Sequence, residues 1–259
     1  MSALKRPSKK GYVLAGTKAQ VLLLHGFTGS PYDLHPLAHM LHGYDFQVHV
    51  PLLVGHGKTA KALHGVNAED WLVQAQQELQ QFDPQRPIIV GGLSMGALLA
   101  ILLAKDSPQI QALGLFSPAL YLGWLAQATI MAAQWGIIDS AMELKKLSGG
   151  SDIADPQARK KTPALKEMPL DGLLQFERLR VLALDVLPSV QCPTFVGFGK
   201  HDAAIDAAQS HRAILHHITA PLFCHVYDNS KHVITLDYDR DHVAIDFLSF
   251  VKNFVQDHP

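Results

Sequence analysis

Gly92-Leu93-Ser94-Met95-Gly96 sets one serine between two glycines inside the apolar run "PIIVGGLSMGALLAILLA". Glycines on both sides suit a sharp turn that holds a hydroxyl out for nucleophilic attack. About one chain in ten of this length carries G-x-S-x-G by chance, so the surroundings must decide. A serine hydroxyl is a weak nucleophile at neutral pH and needs a base to take its proton and a carboxylate to orient that base. With fifteen histidines in the chain, position is informative and occurrence is not. Two later loops qualify: "GKHDAAID", with Asp202 and the rival acid Asp206, and "DNSKHVITLD", with His232. Asp202 alone would read as a turn former, and His232 as an exposed loop histidine. They follow the apolar runs "TFVGFGK" and "PLFCHVYD", however, in the order serine, acid, base that a strand-turn-helix scaffold requires. His225 falls within a strand and His242 within the last helix, so neither is placed as the base.

Such chemistry also needs two donors for an oxyanion. The Met95 amide follows the nucleophile at a helix start, and the Phe27 amide in "LLLHGFTGSP" offers the second from an early strand-to-helix loop. The Phe27 ring could also wall the acyl site. His25 is expected to brace that loop by hydrogen bonding.

The elements that must position these groups are legible as an alternation. Apolar runs rich in Val, Ile and Phe ("VLLLHGF", "FQVHVPLL", "PIIVGGLS", "ALGLFSPAL", "TFVGFGKHD", "PLFCHVYD") fit strands covered on both faces. Helical signals lie between them: Ser30-Pro31 ahead of Leu34, Leu37, Ala38 and Leu41, and Asn67 ahead of Glu69 and Asp70. The last segment repeats Val243, Phe247, Phe250 and Phe254 on one face. Strand alternating with helix predicts an α/β fold with a mostly parallel sheet flanked by helices. Between about 119 and 190 the alternation fails and no strand is convincing, so a helical insertion is expected there.

Composition excludes several classes. The chain is 48% hydrophobic and 17% charged, which is globular, and its net charge of −1 offers no basic field for nucleic acid. The opening "MSALKRPSKKGYVLAG" has no apolar stretch of signal-peptide length, so a cytoplasmic location is expected. Cys192 and Cys224 are too far apart for a redox pair and too few for a zinc cage; they read as small hydrophobes. Residues 113–138 carry no charge, but Ser117-Pro118 interrupts them, and a membrane span is not expected. His35, His39 and His42 share a helix face at metal-ligand spacing without the glutamate of a catalytic zinc site. "GGLSMG" lacks the ending of a phosphate-binding loop. Gly55-His56-Gly57 reads as structural.

From about residue 20 to 255 the chain resembles the α/β-hydrolases of the bacterial carboxylesterase and monoacylglycerol lipase group. The marks are "LLHGFTGSPYDLHPLAHML", "PLLVGHGKTAKAL", "AEDW", "GLSMGALLA", "PTFVGFGKHDAAID" and "SKHVITLD". The resemblance implies Ser94 as nucleophile, Asp202 as acid and His232 as base, with the Phe27 and Met95 amides as oxyanion donors. It implies a core of 1–118 and 191–259 with a helical cap over 119–190. Two departures show: Lys231 replaces a glycine before the histidine, and the acid loop lacks a proline. Tyr121, Trp124, Leu125, Ile130, Met131 and Trp135 could line the cap's underside toward Ser94 or simply glue it to the core. The expected function is a serine carboxylesterase acting on apolar acyl esters through an acyl-enzyme, without cofactor or metal. The alternatives are a monoacylglycerol lipase or lysophospholipase, a thioesterase or C–C hydrolase, and a non-catalytic binding protein. The expected partners are a small-molecule ester and, transiently, a membrane surface, for a monomer or small homo-oligomer.

Overall fold

A computed structural model describes residues 9–146 and 150–254. In chain order the elements are β1 (Tyr12–Leu14), β2 (Gln20–Leu24), α1 (His35–His42), β3 (Gln47–Val50), α2 (Ala68–Gln80), β4 (Ile88–Leu93), α3 (Met95–Asp106) and β5 (Ile110–Phe116). There follow α4 (Trp124–Gln134), β6 (Glu143–Lys145), α5 (Pro156–Lys161), β7 (Glu167–Pro169), α6 (Leu170–Val186), β8 (Thr194–Gly199), α7 (Ala207–His217), β9 (Leu222–Tyr227) and α8 (Arg240–Phe254). Seven strands form one sheet in the order β1-β3-β2-β4-β5-β8-β9. Every pairing is parallel except β1 with β3. The fold is an α/β-hydrolase fold.

The unbroken apolar runs have a direct cause. Leu22, Leu24, Ile88 and Val90 point into a core shared with Trp71, Leu98 and Leu179, from α2, α3 and α6. Their neighbours Val21, Leu23 and Ile89 point into a second core with Leu37, Leu41 and Phe247, from α1 and α8. Each central strand residue is therefore buried on one side or the other, and no alternation with polar residues survives. Val243, Phe247 and Phe250 are buried as the spacing predicts; the side chain of Phe254 lies outside the described residues.

Three local features differ from the sequence reading. After Ser30 a 3-10 turn spans Pro31–Leu34, and the α-helix starts only at His35. Pro36 has no N–H to continue a helical ladder from Pro31, so the ladder restarts around it. β9 lies at the sheet edge and is only partly covered, with Phe223 and Val226 exposed, instead of being covered on both faces. The stretch between β5 and β8 holds, beside its helices, an antiparallel ribbon pairing Glu143, Leu144 and Lys145 with Pro169, Met168 and Glu167. Strands of three residues are too short to show a period.

The turn after β4 depends on two glycines. A Cβ on Gly96 would lie 1.9 Å from the Leu24 carbonyl oxygen, and one on Gly92 would lie 2.0 Å from the Gly96 oxygen. Strand, helix and neighbouring strand thus approach to a distance only hydrogen permits. Gly96→Ala should cost about 3 kcal/mol or more, because backbone rather than a flexible side chain must move. Gly65→Ala, in open space at φ +75, should cost only about 1–2 kcal/mol. Urea unfolding measures both; a Gly96→Ala protein as stable as the unsubstituted one would contradict this packing.

Candidate active site

Ser94 occupies the single residue between β4 and α3, at φ 56 and ψ −110. That positive φ is rare for a side chain beyond glycine and costs on the order of 1–3 kcal/mol, so the surroundings must hold it. They do: the Ser94 amide donates to Phe116 O at 2.9 Å, and the Ser94 carbonyl accepts from Ala97 at 3.1 Å and Leu98 at 3.4 Å. No hydrogen bond joins the Ser94 hydroxyl to His232 among the described residues. Such contacts commonly tighten only with substrate bound.

Asp202 and His232 are brought together. Asp202 follows β8 and His232 follows β9, so both arise beyond the carboxyl ends of parallel strands, where open α/β sheets build their sites. Asp202 Oδ2 lies 2.7 Å from His232 Nδ1, while its Oδ1 accepts from the Ala204 and Ile205 amides at 2.8 and 3.2 Å. The carboxylate side chain is fully buried. Burial is the largest influence on His232 and opposes the imidazolium, yet the charge and hydrogen bond of Asp202, with Asp152 adding to them, outweigh it. The His232 pKa is therefore raised above its ordinary 6.5. The rival acid does something else: Asp206 is the N-cap of α7 and accepts from the Gln209 amide at 2.8 Å. His225 lies in β9 and His242 in α8, as expected.

The loop after β2 meets Ser94 closely, since a Cβ on Gly26 would lie 3.3 Å from the Ser94 Cβ. His25 braces this loop. Its Nε2 accepts from the Leu53 amide at 3.1 Å, which leaves Nδ1–H to donate to Gly26 O at 2.9 Å. Burial, with the nearby His56, pushes its pKa down to about 3, so the ring stays neutral and the tautomer is fixed. His56 from the Gly55-His56-Gly57 turn is likewise buried, its pKa lowered to about 4. The Phe27 ring stacks on Phe176 of α6 at 5.7 Å and meets Trp71 edge-on. No hydrogen bond from the Phe27 or Met95 amide to a protein acceptor is found among the described residues.

Two acidic residues escaped the sequence reading. Asp152 binds Lys231 Nζ at 3.1 Å and the Ala203 amide at 3.2 Å, and its carbonyl accepts from Val233. It thus ties the acid loop to the base loop and gives Lys231, the unexpected residue before His232, a partner. Asp237 is fully buried and accepts from the amides of Lys231, Ala154, Asp155 and Tyr238 at 2.7–2.9 Å. Asp237 ended a quoted motif, and a buried terminal Asp was a usable signal. Asp152 sits in an irregular polar stretch that carried none.

The six apolar residues that could line the cap toward Ser94 or glue it to the core do not share one environment. Ile130 is buried, whereas Trp124 and Trp135 are 79% and 71% exposed and Leu125 and Met131 are also exposed. Tyr121, Ile130 and Met131 border a cavity of about 340 Å³ whose lining includes none of Ser94, Asp202 or His232. α6 reaches the loop beside Ser94 through Phe176 and through Gly172, whose Cβ would touch the Phe27 ring at 3.2 Å. α4 is 11 residues long, and no helix among the described residues is long and apolar enough to cross a membrane.

Known proteins resemble this chain in sequence and in fold. A thermostable monoacylglycerol lipase of Bacillus sp. (strain H-257) is 28% identical over 231 residues, 89% of each chain. A carboxylesterase of Bacillus subtilis (strain 168) is 26% identical over 251 residues, covering 96% of this chain and 98% of its own. A solved structure from the metagenome-derived lipolytic enzymes LipS and LipT superposes with a TM-score of 0.83 at 25% identity, over 95% of this chain and 98% of that one. The model of the family described as serine aminopeptidase, S33, matches residues 15–239. With that span matched and the α/β-hydrolase sheet in place, the chain belongs to this hydrolase family.

Proposed function

We propose that this carboxylic ester hydrolase works through Ser94 as nucleophile, His232 as base and Asp202 as orienting acid. The observation that carries the reading is the 2.7 Å contact between His232 Nδ1 and Asp202, on the loops after β9 and β8, together with a serine held at φ 56 after β4. With Nδ1 engaged, Nε2 is the nitrogen free to take a proton. Ser94 Oγ bonds to the ester carbonyl carbon as its proton passes to His232. The oxyanion is held by the Phe27 and Met95 amides, and the alcohol departs with the proton from His232. Water, deprotonated by the same imidazole, then releases the acid and restores the serine. Residues 119–190 act as the cap over this site, and the preferred ester carries an apolar acyl group. The unpaired cysteines suit a cytoplasmic location.

A second reading, a monoacylglycerol or lysophospholipid as the ester, is favoured by the exposed Trp124 and Trp135, since tryptophan suits a lipid surface. A panel of p-nitrophenyl esters, monoacylglycerols, lysophospholipids, acyl-CoA and aminoacyl amides separates these readings. Acyl-CoA or aminoacyl amide turnover far above that of the oxygen esters would reject the ester assignment.

A fluorophosphonate probe should label the protein once, at Ser94, and labelling that persists in Ser94→Ala would reject this nucleophile. Asp202→Asn should lower kcat by roughly three to four powers of ten. Asp206→Ala should leave kcat nearly unchanged while removing a helix cap worth about 1 kcal/mol, seen as a lower Tm. Reversed effects would make Asp206 the acid.

The base must be neutral to act, and its raised pKa means it becomes protonated earlier as pH falls. The acid limb of kcat/KM should have its midpoint above 6.5, and Asp202→Asn should move the limb downward. A wild-type midpoint at or below 6.5 would contradict His232 as a base held by Asp202.

A further inference from the structure

Thr28 directly follows Phe27 and is held at φ 61, a conformation that β-branched residues rarely adopt. Strain of this kind lasts only where neighbours over-determine it. Here two residues of the segment between β5 and β8 grip Thr28. The Leu165 amide donates to Thr28 O at 3.0 Å, and Lys146 Nζ donates to Thr28 Oγ1 at 2.7 Å. Lys146 Nζ also donates to Leu165 O at 3.2 Å, which closes the three residues into one hydrogen-bonded unit. The β6–β7 ribbon sets the spacing of the grip: Lys146 directly follows β6, and its amide donates to Lys166 O at 2.9 Å just ahead of β7.

An ammonium is costly in this place. Burial lowers the Lys146 pKa to about 8, against the opposing charge of Asp33. Asp33 faces it from the turn after Ser30, and burial pushes that carboxyl up to about 6 despite the Ser30 amide, Lys146 and the Thr162 hydroxyl. His232 also feels the Lys146 charge. A methionine would fill the same volume without the desolvation cost, so the ammonium calls for a role that its hydrogen bonds explain.

We propose that Lys146 is a positioning residue for the oxyanion hole: carried on the β6–β7 ribbon, it pins Thr28 and so fixes the direction of the Phe27 amide. The inference rests on the functional reading above, in which that amide is a donor. Lys146 touches no reacting atom in this scheme; it acts through Thr28. Its effect belongs to the transition state, where charge develops on the carbonyl oxygen, and not to substrate binding.

The test uses the full chain with the neutral substrate p-nitrophenyl butyrate and with butylboronic acid, which forms a tetrahedral adduct on an active-site serine. Lys146→Met and Thr28→Val should each lower kcat about ten- to hundredfold, as loss of donor alignment does. KM should stay within about twofold, because only transition-state contacts change. Boronate inhibition should weaken by the same factor as kcat. The double variant should be no worse than the poorer single one, since the two residues form a single contact. Lys146→Arg should recover most of the rate. Thr28→Val carries the same expectation if Lys146→Met does not fold. Unchanged kcat in the folded variants, losses that multiply, or a change in KM alone would overturn the inference, the last making Lys146 a substrate contact. A wild-type protein that neither turns over the ester nor labels at Ser94 would instead overturn the functional reading beneath it.

Discussion

The site depends on one close approach of backbone to backbone. α3 passes so near the end of β2 that the Leu24 carbonyl leaves no room for a side chain at residue 96. β4 must therefore reverse into a helix within one residue, and Ser94 takes up the φ of 56 that this reversal demands. The same approach sets the loop after β2 beside the serine, so that Gly26 faces the Ser94 Cβ. The proposed nucleophile and the loop of the proposed oxyanion donors are thus set by a single packing constraint. The stability of two fully buried cores, one on each face of the sheet, holds that constraint in place.

Asp202 and His232, the proposed acid and base, come from loops that the core alone does not hold. His232 is reached across the end of β8, where a Cβ on Gly199 would lie 2.0 Å from the Lys231 carbonyl oxygen. Its loop is then tied to the segment between β5 and β8 by two carboxylates, Asp237 fully buried and Asp152 partly so. Asp237 collects four amides from both sides, and Asp152 spans Lys231 and Ala203. A buried carboxylate satisfied in this way resists movement, because each donor it loses removes part of what offsets the burial of its charge. The segment between β5 and β8 and the loop that carries His232 are therefore joined by hydrogen bonds into one unit.

How much of this was legible follows from which forces are local. The central strands announced themselves because burial on both faces makes their residues uniformly apolar. The Asn67 start of α2 was readable because the Asn67 amide meets the Asp70 carboxylate within one turn, at 2.8 Å. The turn at Ser94 and the meeting of Asp202 with His232 were readable because each follows a parallel strand. β1, β6 and β7 were not readable, since three residues carry no period. The outward face of Trp124 and Trp135 was also missed: a helix without charges gives no sign of which side meets water. Asp152 and Lys146 escaped for a deeper reason. Their partners, Lys231 and Thr28, lie 79 and 118 residues away, and only the folded chain brings them together.

The central claim is that Ser94 becomes covalently acylated while His232, oriented by Asp202, moves the proton. Rapid-quench mass spectrometry on a slowly deacylating ester tests it most directly. The expected result is a transient gain of one acyl group on the peptide carrying Ser94, formed faster than product accumulates at steady state and almost absent in His232→Ala. An acyl group on any other residue, or full turnover by a Ser94→Ala protein, would contradict it.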